Sequence, residues 1–294
     1  MEQSGLSPLG REGFGELLSS MPSRIAPPSV DGAGLGVGLT GCGGISDMHL
    51  GAYRRLGLQV SALCSRDISK AERRAHEFAP EANIYASHAE LLEDQGVEVV
   101  DIATHPEGRG PLISAALRAG KHVLSQKPFV LSVPDGLELV ELAAGRGLTL
   151  AVNQNGRWAP HFAAIREFVR AGAIGEVEEI AASVSWDHSW TIGTAFDQTP
   201  HLVLFDFGIH WFDFVVSLLG DRSIHQVSAR VEFSPGQRSP QPMLAIVEMR
   251  APGLHVSLSF DGDEQRDPKD QTRVSGSHGV LTSAGSDLHG QGYK

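Results

Sequence analysis

A lysine set beside a proline, and a histidine four residues after an aspartate, are the groups in this sequence best placed to do chemistry. Lys127 closes the run Ala119-Gly120-Lys121-His122-Val123-Leu124-Ser125-Gln126-Lys127-Pro128. That position reads either as an active-site lysine facing a bound dinucleotide or as a polar turn after a strand. Asp206, His210 and Asp213 lie within Asp206-Phe207-Gly208-Ile209-His210-Trp211-Phe212-Asp213. On a helix, spacings of four and three bring the three side chains to nearly the same side. A carboxylate and an imidazole sharing a face can bind a polyol and move a proton near neutral pH, whereas the plainer alternative is a capping aspartate beside a structural histidine. His-Glu-x-x-His and paired-cysteine spacings are both missing from the sequence, so no metal is expected.

The elements around these groups explain why they can act. Gly120 stops a helix and His122 to Ser125 form a short strand, so Lys127 emerges at the carboxyl end of a strand, where open α/β sheets place their ligands. Pro128 restricts the Gln126-Lys127 pair and is compatible with a cis bond. Upstream, Gly41-Cys42-Gly43-Gly44-Ile45-Ser46 follows the alternating strand Leu35 to Thr40 and opens a helix from Ile45 to Leu56. This is the context of a dinucleotide fingerprint: Gly41 for the tight turn, Gly43 for close approach to a pyrophosphate, and Gly44 and Ile45 leading into a helix N-terminus with free N–H groups. The next strand ends in Ser65-Arg66-Asp67 rather than in a lone carboxylate. Serine and arginine suit a 2'-phosphate, which tips the expected cofactor from NAD towards NADP, although Arg66 stacking on adenine with Asp67 opening the next helix is the competing reading.

Strand and helix patterns alternate from residue 33 to 154: strands at Leu58 to Cys64, near Ile84-Tyr85, Val97 to Ala103, His122 to Ser125 and Leu148 to Asn153, with helices between them. The expectation is a doubly wound Rossmann domain over 33–154. From 155 to 294 the rhythm changes to an α+β domain with a mostly antiparallel sheet, including a helix from Phe207 to Leu219. The charged stretch Asp261 to Asp270 reads as a solvated hairpin end, and residues 1–32, mixed in Ser, Gly, Pro and charge, as a flexible N-terminal tail. The composition, 41% hydrophobic and 20% charged over 294 residues, suits soluble globular domains. A net charge of -11 argues against nucleic acid or an anionic membrane as partner. No apolar stretch has the length of a signal or a span, and two cysteines fit a reducing cytoplasm.

With its motifs in this order the chain resembles the glucose-fructose oxidoreductase and inositol dehydrogenase (Gfo/Idh/MocA) family from about Leu35 onwards. The resemblance rests on Gly41-Cys42-Gly43-Gly44-Ile45, Val100-Asp101-Ile102-Ala103-Thr104, Ala119 to Leu124, Gln126-Lys127-Pro128, and Asp206-x-Gly208-x-His210-x-x-Asp213. It implies an NAD(P)-dependent oxidoreductase that moves a hydride between nicotinamide and a CH–OH group of a sugar, sugar derivative or cyclitol. On that analogy Lys127 orients and polarises the reacting hydroxyl, His210 accepts the proton, and Asp206 holds the substrate or tunes the histidine. Thr104 and Gln126 join Gly41, Gly43, Gly44, Ile45, Ser65, Arg66 and Lys127 as cofactor contacts. Asn155, Arg157 and Asp213 are substrate contacts, with Asn153, Trp158 and Asp187-His188 as further candidates. The family also implies a homo-oligomer, dimer or tetramer. Three departures stand out: Gln126 where relatives carry glutamate, Arg109 where they often carry histidine after a Thr-Pro turn that His105 interrupts, and a chain that stops at Lys294 where they continue through more sheet. These departures leave a non-catalytic dinucleotide-binding sensor of the same fold as the alternative.

Overall fold

The computed structural model describes residues 9–26, 34–285 and 292–293, which divide into two compact units. The nucleotide-type unit begins with β1 (Gly36–Thr40), buried throughout, then α2 (Ser46–Leu56), β2 (Gln59–Cys64), α3 (Ile68–Phe78), β3 (Asn83–Tyr85) and α4 (His88–Glu93). It continues through β4 (Val99–Ile102), α5 (Arg109–Arg118), β5 (His122–Gln126), α6 (Val133–Gly145) and β6 (Leu150–Asn153). Its six strands are all parallel in the order β3-β2-β1-β4-β5-β6, the doubly wound arrangement that the alternation foretold. Helix ends follow local chemistry: Ser87 and Glu90 form a capping box at α4, and Gly57, at φ 68°, closes α2. The core holds Val100, Ile102, Ile113, Leu117 and Val123 on one side of the sheet and Leu39, Leu50 and Leu63 on the other.

The second unit contains a helix from the first residues of the chain. Helix α1 (Gly10–Ile25) occupies the stretch expected to be a flexible tail, which corrects that reading. Its apolar residues Phe14, Leu17 and Met21 recur at helical spacing and pack beside α7 (Pro160–Arg170), where Leu17 and Met21 are buried and the Phe14 and Phe168 rings stack at 5.8 Å. Hydroxyls of Ser19, Ser20 and Ser23 bond back to carbonyls of the same helix, and Pro22 is accommodated inside it. Residues 1–8 and 27–32 lie outside the described residues.

The unit's sheet runs β13-β12-β11-β7-β10-β9-β8, from β7 (Val177–Ser185), β8 (Gln226–Glu232), β9 (Leu244–Ala251), β10 (Leu254–Asp261), β11 (Lys269–Gly276), β12 (Gly279–Gly285) and β13 (Gly292–Tyr293). All its ladders are antiparallel except β7 with β10. Because β7 lies between β10 and β11, the charged stretch after Asp261 is a crossover past β7 and not the hairpin end expected. Asp187 pairs with Asp263 beside it. Buried Ile180, Val184, Val247, Val256, Leu258 and Phe260 of the sheet join Phe162, Trp211 and Phe214 of α7 and α8 (Ile209–Leu218) in one core.

Candidate functional site

The glycine loop stands at the point where the strand order reverses, between β1 and β4. Gly41 has φ 106°, and a Cβ there would lie 2.9 Å from both C and O of Ala103, so only glycine fits where the β1 and β4 loops meet. A Cβ on Gly43 or Gly44 would meet nothing within 4 Å. Among the described residues the N–H groups of Gly43, Gly44 and Ile45 bond no carbonyl, while the Ser46 N–H returns to Gly43 O at 3.1 Å. Open space, unclaimed N–H groups and a helix start are the requirements of a pyrophosphate cradle, so these residues fit the nucleotide that the fold implies. Thr104, after β4, lies next to Gly41, and its hydroxyl has no partner among the described residues.

At the end of β2, Ser65 is half-buried with its N–H on Tyr85 O, and Arg66 is exposed. Asp67 occupies the N-cap position before α3, and its hydrogen bond from Ser69, helped by Lys70 and Arg73, holds the carboxyl below its ordinary pKa. Asp67 therefore serves its own helix.

Lys127 follows β5 directly, half-buried, and the Lys127–Pro128 bond is cis. The buried Arg109 brackets it, donating to Gln126 O and Pro128 O on either side and to Thr104 O in the β4 loop. A guanidinium carries five donors in a fixed fork, so one side chain ties both loops together. Gln126 is buried, and its Oε1 accepts from Asn153 Nδ2 at 3.1 Å.

In the second unit Asp206 and His210 are both buried. Asp206 sits in a π-helical segment, Val203–Gly208, that runs straight into α8. A π turn is wider than an α turn, so residues four apart remain on one side, and such segments recur at functional sites. Gly156 presses on the imidazole: a Cβ there would lie 2.5 Å from His210 Nδ1. Asn155 and Trp158 are exposed. Arg157 and Asp213 pair with each other in a fork, Nε to Oδ2 at 3.0 Å with Nη2 on Oδ1, and the aspartate raises the arginine's pKa further. These two groups, expected as substrate contacts, form an ion pair with each other. Arg166 donates to Arg157 O behind them. Trp186 packs against Phe207 and Trp211, as a core aromatic does, and the neighbouring His188 is buried.

Sequence reading passed over His49 and Tyr53. On α2, four residues apart, they face the fully buried Asp101 of β4, whose Oδ2 accepts from His49 Nδ1 at 2.6 Å and from Tyr53 OH at 2.7 Å. Burial, and then the negative charge of Asp101, raise the Tyr53 pKa, so its hydroxyl stays a donor. The available signal was a charged residue in an otherwise apolar central strand.

Comparison with known proteins agrees with this architecture. Residues 35–154 match the family described as "Oxidoreductase family, NAD-binding Rossmann fold", and residues 162–282 match the "GFO/IDH/MocA C-terminal domain". D-apiose dehydrogenase of Paraburkholderia graminis is 29% identical over 253 residues, 83% of this chain and 66% of that protein. Trans-1,2-dihydrobenzene-1,2-diol dehydrogenase of Mus musculus is 34% identical over 174 residues, 58% of this chain and 51% of that protein. The chain spans 49–66% of the length of the curated relatives it matches first. Among solved structures, the WlbA dehydrogenase of Bordetella pertussis superposes with a TM-score of 0.79 at 18% identity, over 88% of this chain and 83% of that one. The scyllo-inositol dehydrogenase of Lactobacillus casei does so at 0.76 and 17%, over 84% and 75%. Both likenesses speak for the fold. The chain, matched in both of its domains, belongs to the Gfo/Idh/MocA oxidoreductase family.

Proposed function

We propose that the chain carries the working parts of an NAD(P)-dependent oxidoreductase acting on a CH–OH group of a sugar, sugar derivative or cyclitol. The observation that carries this reading is the open glycine loop at the strand-order reversal, followed in the same sheet by Lys127 at the end of β5. When bound, the nicotinamide supplies the hydride acceptor. Lys127 donates a hydrogen bond to the reacting hydroxyl oxygen and eases loss of its proton. His210 accepts that proton, and Asp206, four residues earlier, holds the substrate or the imidazole. Arg66 at the end of β2 favours a 2'-phosphate and so NADP over NAD, with Ser65 as its neutral companion. Asn155, Arg157 and Asp213 are the substrate contacts of this reading, and the Arg157–Asp213 pair also braces the segment that carries Asn155. The same reading expects a homo-oligomer in a reducing cytoplasm. No described helix is long and apolar enough to cross a membrane.

The test is a fluorescence titration with NADPH and NADH, followed by turnover on a panel of polyols and sugars. Gly43→Trp meets no protein atom at Cβ and fills the cradle, so it is expected to fold and lose binding. Arg66→Ala is expected to weaken NADPH more than NADH, and Lys127→Ala to keep binding but lose turnover. Binding without turnover on any substrate would favour the sensor reading, and binding that survives Gly43→Trp would remove the cradle.

A further inference from the structure

Asp101 is fully buried in β4, and a carboxylate is an acceptor only. His49 Nδ1, 2.6 Å from Oδ2, must therefore carry the hydrogen of that contact, as the Tyr53 hydroxyl does of its own. A neutral imidazole has one N–H, so His49 Nε2 is left as an acceptor. It faces Asn153 Nδ2 at 3.1 Å, and the same Nδ2 lies 3.1 Å from Gln126 Oε1. An amide NH2 has two hydrogens, and these two acceptors use both. Gln126 Oε1 is thereby committed inward, which leaves the Nε2 hydrogens for other partners.

We infer that Asp101, acting through His49 and Asn153, fixes the amide of Gln126 with its NH2 outward, so that the residue before Lys127 is a hydrogen-bond donor. The site then selects a ligand group that presents an acceptor oxygen at this point, of carbonyl, carboxamide or carboxylate type, and disfavours one that presents a hydroxyl proton. The inference rests on the reading that Gln126 borders the bound cofactor or substrate. It also gives the glutamine a purpose: a glutamate accepts from Asn153 equally well but has no donor at its other oxygen. In this role Asp101, His49 and Asn153 are positioning residues, acting on the ligand through Gln126.

The polarity is read directly by long-range 15N–1H correlation spectra of protein labelled at histidine, with His49 assigned by His49→Gln. The expected result is a neutral His49 protonated at Nδ1 at pH 7. Protonation at Nε2, or at both nitrogens, overturns the relay whether or not the protein proves to be an enzyme. Asn153→Asp, nearly isosteric, cannot donate to Nε2. It is expected to place a second proton on His49, to turn the Gln126 amide around, and to weaken NADPH or NADH binding about tenfold, the worth of one hydrogen bond. Gln126→Glu, which removes the donor and leaves His49 neutral, is expected to lose the same factor. Variants that retain the wild-type melting temperature and bind within twofold of wild type refute the donor role. If the wild type binds neither nucleotide, the cofactor reading and the donor role fall together, while the histidine spectrum still decides the relay.

Discussion

Gly156→Ala perturbs His210 without substituting it. A Cβ on Gly156 would stand 2.5 Å from His210 Nδ1, 3.0 Å from Cγ and 3.1 Å from Cβ. A comfortable contact begins near 3.4 Å, so the imidazole must retreat by about 1 Å, and burial leaves it little room. Overpacking of this kind costs about 1–3 kcal/mol, against which the loss of glycine's freedom in the unfolded chain returns about 0.4–1 kcal/mol. The net loss, on the order of 1–2 kcal/mol, lowers the melting temperature by a few degrees and leaves the protein folded. A displacement of about 1 Å at a reacting group costs on the order of 100-fold in rate. The assay is turnover of the best substrate from the polyol and sugar panel beside nucleotide titration and a melting curve. The expected pattern is a small stability loss, nucleotide affinity unchanged, and kcat down by about two orders of magnitude. A folded Gly156→Ala protein whose kcat stays within threefold of wild type would refute the placement of His210 at the reacting centre.

Leu17→Ala in α1 deletes a buried side chain from the second unit's core and should lower stability by about 2–5 kcal/mol in denaturant titration; a loss below 0.5 kcal/mol would show that α1 does not dock. His88 accepts from the Thr40 hydroxyl and donates to Leu112 O, and burial lowers its pKa below the ordinary 6.5. Because the folded pKa is depressed, the unfolded chain binds the extra proton first. Its contribution is complete above pH 6.5 and falls by up to about 1.4 kcal/mol per pH unit below it, until the folded pKa is reached. Unfolding titrations from pH 8 to pH 5 should show this slope reduced in His88→Gln, and equal slopes in the two proteins would contradict the assignment.

The Rossmann half was legible because its signals are local. Gly41 to Ser46 between a strand and a helix, and the apolar run around Val100, fix element type and order without tertiary information. The place of Lys127 at the end of β5 was legible through Gly120 and Pro128, which delimit that strand on either side. What escaped depended on distant partners. The three carbonyls around Arg109 come from two different loops, and nothing near position 109 announces them. The Asp101, His49 and Asn153 contacts join β4, α2 and β6 over separations of 52 and 104 residues. In α1, Gly, Ser and Pro suggested a tail because its stripe of Phe14, Leu17 and Met21 gains stability only against α7. The crossover after Asp261 was hidden because a charged turn looks the same whether its flanking strands are neighbours or are separated by a third.

The docking of α1 beside α7 gives the two units different schedules during synthesis. Residues 34–154 form a contiguous unit that can close on itself as soon as β6 has left the ribosome. The apolar stripe of α1 is made first, yet α7, its partner, starts about 135 positions after α1 ends. At ribosomal speeds of about 5–20 residues per second that is a wait of roughly 7–27 s. During that interval Phe14, Leu17 and Met21 lack the cover that α7 gives them in the folded protein.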